Sequence, residues 1–171
     1  MKRLFSSMFV LGLCLFTLVG NVWSAPILYN GHYYELTSST GTWGWCENEA
    51  VLKGGHLVTI NDSTEESWLQ SQFGRAYLWI GFTDQAAEGT WVWISGEPVT
   101  YTNWAGGEPN NAGGEDYAVM NWSGIKWNDL NGSQPYYGII ETAPVPLPSA
   151  LLLFAPGLAG LAALRRKFRH S

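Results

Sequence analysis

The chain has 171 residues, of which 46% are hydrophobic, 15% aromatic and 13% charged, a balance that excludes a disordered polyelectrolyte and allows one domain with a full core. Its 14 acids all lie between residues 35 and 141, where only Lys53, Arg75 and Lys126 oppose them. That acidity argues against a nucleic-acid partner and favours bound cations, although a solvated acidic surface accounts for most of it as well.

Lys2 and Arg3 lead into an apolar run over residues 4–20, and Val22-Trp23-Ser24 follow it. This is the layout of a secretory signal peptide over residues 1–24, cleaved after Ser24 or Ala25. An uncleaved anchor fits less well, because the run falls short of the ~20 residues that span a bilayer. Cys14 leaves with the signal, so Cys46 stands alone and the mature domain holds no internal disulfide, unlike many small exported folds.

Residues 27–36 alternate loosely and are rich in Tyr, which predicts a strand whose partner is residues 136–141. Pairing the first strand with the last brings the termini to one end and leaves the loops free at the other. A helix is predicted over residues 42–53, with Thr42 as N-cap and Gly54 just past its end. Ser63-Thr64-Glu65-Glu66 reads as a capping box, so a second helix should run from Thr64 to about Gln72 and stop at Gly74. Aromatic or β-branched runs at 77–82, 91–94, 117–122 and 125–127, punctuated by Gly and Asn, predict a small antiparallel sheet. The fold class is α+β and loop-rich.

Beyond Glu141 the composition changes. Residues 142–148 form a Pro-rich linker, residues 149–164 carry no charge, and Arg165, Arg166, Lys167 and Arg169 sit in a basic tail over 165–171 that the positive-inside rule keeps cytoplasmic. A 16-residue helix would rise about 24 Å, short of the ~30 Å hydrocarbon core, which fits transient better than durable anchoring in an inner membrane. The order of these features resembles a bacterial PEP-CTERM sorting signal, with Val145-Pro146-Leu147-Pro148 in place of Pro-Glu-Pro. The resemblance implies an exosortase-type sorting enzyme as partner, cleavage near residues 145–148 and release to the cell surface or extracellular matrix. A plain C-terminal transmembrane anchor is the alternative. A GPI signal is disfavoured because the tail ends basic.

Oxygen donors concentrate between residues 108 and 129: Glu108, Asn110, Glu115, Asn128 and Asp129 offer three carboxylates and two amide carbonyls. Calcium takes about six to eight such oxygens, whereas zinc would want His or Cys. Glycines 106, 107, 113 and 114 suit an irregular loop, and a cis bond at Glu108–Pro109 would aim its flanking side chains the same way. Alone, such a loop reads equally as solvated surface.

The spacing of Glu108-Pro109-Asn110 from Trp127-Asn128-Asp129 resembles the C-type lectin domain. Trp43, Gly54-Gly55-His56-Leu57, Leu78-Trp79-Ile80-Gly81-Phe82, Trp104, Glu115-Asp116 and Gly138-Ile139-Ile140-Glu141 extend the resemblance over about residues 29–141, within a domain of residues 26–141. It implies two helices, small antiparallel sheets and long calcium-binding loops. It also implies that Glu108, Asn110, Glu115, Asn128 and Asp129 hold calcium and contact a sugar that completes the shell. The order Glu-Pro-Asn implies mannose-, glucose-, GlcNAc- or fucose-type glycans or exopolysaccharide rather than galactose. The other reading is a calcium-stabilised adhesion or protein-recognition module that binds no sugar. Asp84, Glu88, Asn111, Glu115 and Asp116 fall where the family places a second calcium ion, although Asp84 to Glu88 also spells a polar turn. The segment between Asn110 and Glu115 is about one residue tighter than in animal lectins.

The same comparison puts Ala50 and Ile140 where one family disulfide would sit, and Tyr117 and Gly132 where the other would, so each pair should be a packing contact. Cys46 falls at a small apolar position and should be a buried, inert thiol. Trp79 and Trp127 should be core, whereas exposed tryptophans near the loop could stack on sugar rings. His32 lies in a strand, His56 is structural and His170 lies in the tail, and no Ser/His/Asp or Cys/His set stands out, so an enzyme is not expected. Three sequons, at Asn61, Asn121 and Asn131, carry no assigned role.

Overall fold

The computed structural model describes residues 25–74 and 76–144. The signal peptide, the motif at 145–148, the apolar segment 149–164 and the basic tail lie outside the described residues. Among the described residues no helix is long and apolar enough to cross a membrane.

Residues 27–36 form a hairpin rather than one strand, β1 (Ile27–Tyr29) and β2 (His32–Leu36). Asn30 and Gly31 both adopt positive φ, 45° and 88°, the conformation that an Asn-Gly turn supplies to a two-residue hairpin. Helix α1 (Trp43–Leu52) begins where expected. The Thr42 hydroxyl accepts from the Trp45 N–H at 3.2 Å, and Gly54, at φ 84°, follows the C-cap Lys53. A short strand that the sequence reading passed over, β3 (His56–Leu57), then lies against the last strand. Gly55 permits it: a Cβ there would stand 2.0 Å from the Glu141 carbonyl oxygen.

Helix α2 (Ser63–Phe73) starts one residue before the predicted start. Its N-cap is Asp62, not Ser63, with the carboxylate accepting from the Thr64 and Glu65 N–H groups at 2.7 and 2.9 Å. Those bonds hold the Asp62 carboxyl below its usual range. The glutamates that completed the apparent capping box are buried instead, a correction with consequences for the site.

Strand β4 (Leu78–Thr83) is buried along its whole length and is the centre of the sheet. It pairs antiparallel with β5 (Val92–Trp93) and β6 (Tyr117–Met120), and parallel with β8 (Tyr137–Thr142). The sheet is therefore mixed, where an antiparallel one was predicted. β6 also pairs with β7 (Asn128–Leu130), giving the order β1-β2-β8-β4-β6-β7 with β3 and β5 off the path. The strand predicted at 125–127 falls at 128–130, so two of the expected ligands lie in a ladder rather than a loop. The pairing of β2 with β8, Glu35 opposite Ile140, holds as predicted.

The core is aromatic. Phe82, Trp93 and Trp127 contact one another with ring centroids 4.4–5.8 Å apart, and Trp79 and Trp127 are fully buried as expected. The Trp43 and Trp79 indoles donate to the backbone carbonyls of Ile80 and Gly41 at 2.8 and 3.0 Å. Tyr117 packs on Gly132 so closely that a Cβ at 132 would lie 2.6 Å from its ring. Ala50 and Ile140 are both fully buried, on α1 and β8, which pack together. Burial pushes the Cys46 thiol up, keeping it protonated in a cluster with Trp43, Leu57, Trp79 and Val119.

Stability should therefore not depend on oxidation. Urea unfolding of the chain from residue 25 onward, in which Cys46 is the one cysteine, is expected to give the same midpoint with and without reductant. Gly132→Ala, strained at φ 78° and overpacked against Tyr117, should lower stability by on the order of 2 kcal/mol. A reductant-sensitive midpoint would contradict this account of the core.

Candidate metal centre

The donor loop hangs on one buried carboxylate. Asp129, fully buried in β7, accepts from the backbone N–H of Asn110 at 3.2 Å through Oδ1 and of Asn111 at 2.7 Å through Oδ2. The Glu108–Pro109 bond is cis, as predicted, and the Asn110 amide donates to the Glu108 carboxylate. Beyond it the chain closes on itself. The Glu115 N–H donates to Asn111 Oδ1 at 2.7 Å, and the Ala112 N–H donates to Glu115 Oε2 at 3.0 Å. Asn111, Gly113 and Gly114 all take positive φ, which lets the loop reverse within so few residues.

This geometry gathers negative charge. Burial pushes the Glu108 carboxyl up, reinforced by the charge of Asp129, a hydrogen bond shared with it, and the charge of Glu115. Glu115 is pushed up by burial and then by Asp129, with the Ala112 N–H opposing. Among the described residues, no ion pair reaches these carboxylates; Lys126 donates to Asn103 instead, at 2.6 Å. Asn128, which precedes Asp129 in β7, has its Oδ1 buried and without a partner, while its amide nitrogen donates to the Asp129 carbonyl at 2.7 Å. A buried oxygen left bare costs about 1–3 kcal/mol, and crowded carboxylates add repulsion. Both are conditions that a hard cation relieves, so the residues present fit one. Among the described residues no group of three or more His, Cys, Asp and Glu side chains could hold a metal alone, so a donor set here must draw on amide carbonyls.

The supporting cluster is brought together in part. Asp84 is buried; its Oδ2 accepts from the Gly89 N–H at 2.8 Å, its Oδ1 has no partner, and its own N–H donates to the Asp116 carbonyl at 3.2 Å. Asn111 and Glu115 are joined as described, whereas Glu88 is exposed on the turn after Asp84. The polar turn is thus present, and of the five residues the printed bonds join Asp84 only to the Asp116 backbone and Asn111 only to Glu115.

Other expectations sort cleanly. His56 bonds the Leu57 carbonyl at 2.9 Å, a structural role, and His32 lies 2.6 Å from Glu141. Asn121 is buried and donates to the carbonyls of Gly74 and Ala76, so its sequon presents no free amide. Among the described residues Trp45 and Trp122 are the most exposed tryptophans, and Trp122 lies against Tyr77 with ring centroids 5.1 Å apart. Sequence reasoning missed Glu66, which accepts from Trp127 Nε1 at 2.6 Å directly beneath the site. Its only signal was an acid within the buried face of α2.

A cis Glu-Pro-Asn loop tied to a Trp-Asn-Asp strand at the edge of a mixed sheet defines a recognition domain of lectin type. The model of the lectin C-type domain family matches residues 36–140, most of the chain, which belongs to that family of carbohydrate- or protein-recognition modules. It is 38% identical over 115 residues to the human C-type lectin domain family 17, member A, covering 66% of this chain but only 30% of that protein. The carbohydrate-recognition domain of cow CD23, solved in the presence of a GlcNAc2Man3 oligosaccharide, superimposes with a TM-score of 0.66 at 31% identity, covering 71% of this chain and 95% of that one. A calcium-independent type II antifreeze protein is equally close in fold, with a TM-score of 0.66 at 25% identity over 71% of this chain and 94% of that one.

Two substitutions separate the anchoring carboxylate from the crowded ones. With chelator present, Asp129→Ala should lower stability by about 3 kcal/mol, because two backbone N–H groups lose a charged acceptor. Glu108→Gln should raise the melting temperature under the same conditions by removing repulsion. Opposite signs in one set of thermal melts check the assignment; equal losses would refute it.

Proposed function

We propose that the domain binds carbohydrate through calcium. The observation that carries this reading is the proximity of the Glu108, Glu115 and Asp129 carboxylates, with no cationic side chain among the described residues paired to them and with the adjacent strand residue Asn128 holding an unpartnered buried oxygen. Glu108, Asn110, Glu115, Asn128 and Asp129 would hold the ion, which supplies coordination positions for two vicinal sugar hydroxyls. The side chains complete recognition: the Glu108 and Glu115 carboxylates accept from those hydroxyls, and the Asn110 and Asn128 amides donate to them. The Glu-Pro-Asn order favours mannose-, glucose-, GlcNAc- or fucose-type ligands, and the cow CD23 domain, solved with an oligosaccharide of GlcNAc and Man, supports that class. The domain is a binding module and not an enzyme.

One observation favours a second reading, a protein-recognition or adhesion module. Both Asp129 oxygens are already engaged by the loop backbone, and one solved structure of similar fold is that of a calcium-independent type II antifreeze protein. A second calcium at Asp84, Glu88, Asn111, Glu115 and Asp116 belongs to the proposal on the strength of the unpartnered Asp84 oxygen.

Calcium titration of the full chain should raise its melting temperature, since an ion bound only by the folded state stabilises it by mass action. Asn128→Asp should retain calcium binding but lose glycan-array signal, because a carboxylate still ligates and no longer donates. Coincident melts with calcium and chelator would exclude the ion site; calcium uptake with an empty array would select the protein-recognition reading.

We further propose that the chain is exported, held transiently in the inner membrane by residues 149–164, and released at the cell surface after cleavage near 145–148 by an exosortase-type enzyme. Mass spectrometry of the surface protein should find no residue beyond this motif. An intact Ser171 in cells carrying such an enzyme would leave only the plain anchor.

A further inference from the structure

We infer that Glu66 is the positioning residue of the ion site, a buried carboxylate in α2 from which both arms of the donor set are held. The inference rests on the calcium reading above and goes beyond it, because Glu66 is not among the proposed ligands. Its Oε1 accepts from the Trp127 indole at 2.6 Å; its Oε2 accepts from the Tyr101 hydroxyl and the Asn103 amide, each at 2.7 Å. The side chain is 2% exposed, and all three donors are neutral.

Those donors lie on two segments, and each segment runs into one arm. Tyr101 and Asn103 precede the loop that carries Glu108 and Asn110, while Trp127 is followed at once by Asn128 and Asp129. The segments are also bonded to each other: the Trp127 N–H donates to the Asn103 carbonyl and the Ala105 N–H to the Trp127 carbonyl, both at 2.8 Å. Asn103 closes the frame by donating to the Ile125 carbonyl at 2.9 Å and accepting from Lys126 at 2.6 Å. Glu66 is the point where this frame meets a rigid helix.

Space-filling alone does not call for an acid here. An apolar side chain would fill the volume without the cost of burying a charge. An amide has one acceptor oxygen where the carboxylate has two, and its NH2 would face donors. The carboxylate is therefore matched to gathering three donors, and the consequence of gathering them is the relative placement of the two arms. Groups that orient metal-binding residues in this indirect way typically change metal affinity by on the order of tenfold or more when replaced.

The neighbouring Glu65 supplies the control. It is also buried in α2, but it accepts from the Tyr34 hydroxyl and the Asn61 N–H, each at 2.9 Å, which tie it to the β1–β2 hairpin and the turn before α2. Replacing it perturbs the core without touching either arm.

Calorimetric titration of the full chain with calcium alone decides the matter, comparing wild type with Glu66→Gln, Glu65→Gln and Tyr101→Phe, alongside urea unfolding in chelator and the Trp127 indole N–H resonance. Glu66→Gln should weaken calcium binding about tenfold and shift that resonance. Tyr101→Phe, which removes one donor of three, should weaken it less, and Glu65→Gln should lose stability while its calcium affinity stays at the wild-type value. If Glu66→Gln fails to fold, Tyr101→Phe decides alone. Wild-type affinity in Tyr101→Phe and in any folded Glu66→Gln, or an equal loss in Glu65→Gln, overturns the inference while leaving the calcium reading intact. A wild-type chain that takes up no calcium overturns both.

Discussion

The interaction on which the rest depends is the pair of bonds from the Asn110 and Asn111 backbone to the buried Asp129 carboxylate. A loop of glycines and short polar side chains buries little apolar surface, and ordering it costs about 1–2 kcal/mol of backbone entropy per residue. Charge-assisted bonds to a carboxylate with no competing water are the strongest local means of offsetting that cost. Asp129 can serve because it belongs to β7, which β6 holds, which β4 holds in turn. The fully buried centre of the sheet is thus transmitted through two strand pairings to the tip of an exposed loop.

The domain reaches this rigidity without a disulfide. Where a crosslink would restrict the unfolded chain, this protein relies on the native state alone, on Tyr117 seated over Gly132, on Trp43 tilted against Tyr117 with centroids 4.6 Å apart, and on the Phe82, Trp93 and Trp127 cluster. Large rings suit that task, since each removes a great deal of surface from water and interlocks with few alternative arrangements. Glycine is their complement at Gly41 and Gly132, where a Cβ would stand 2.4 and 2.6 Å from the rings of Trp45 and Tyr117. The abundance of both residue types in the sequence is one feature seen from two sides.

Much of this was legible before the structure. Thr42, Gly54 and Gly74 mark helix ends through chemistry local to them, and the β2–β8 pairing follows from two apolar runs at the chain's ends. The cis Glu108–Pro109 bond and the irregular loop around it were legible because Gly and Pro mark such backbone where a core segment would be apolar. The failures have physical reasons too. The Asn30-Gly31 turn was hidden inside a run of tyrosines that reads as one strand. Asp62 and Ser63 are both good N-caps, and nothing local chooses between them when the glutamates that follow can turn inward. Asn128 and Asp129 have low strand propensity, so their place in β7 came from tertiary pairing with β6. Glu65 and Glu66 were the deepest miss, since an acid is expected in water until its donors are known, and those donors come from residues 34, 61, 101, 103 and 127.

The acids of this domain therefore divide by what satisfies them. Asp129 and Glu66 are buried but meet two and three N–H or O–H donors, so their charge is spent on holding backbone and indole in place. Glu108 and Glu115 are more open, meet fewer donors, and are pushed up by burial and by their neighbours. A site made only of satisfied carboxylates would hold its shape and attract nothing; one made only of crowded carboxylates would attract a cation and fail to hold its shape without it. Placing the satisfied acids beneath the crowded ones separates the two demands. The Asp129 bonds hold the loop in this form by themselves, so under the calcium reading proposed above less of the binding free energy would go into ordering it. Neutral donors thus satisfy Asp129 and Glu66, while Glu108 and Glu115 are left with no ion-pair partner among the described residues.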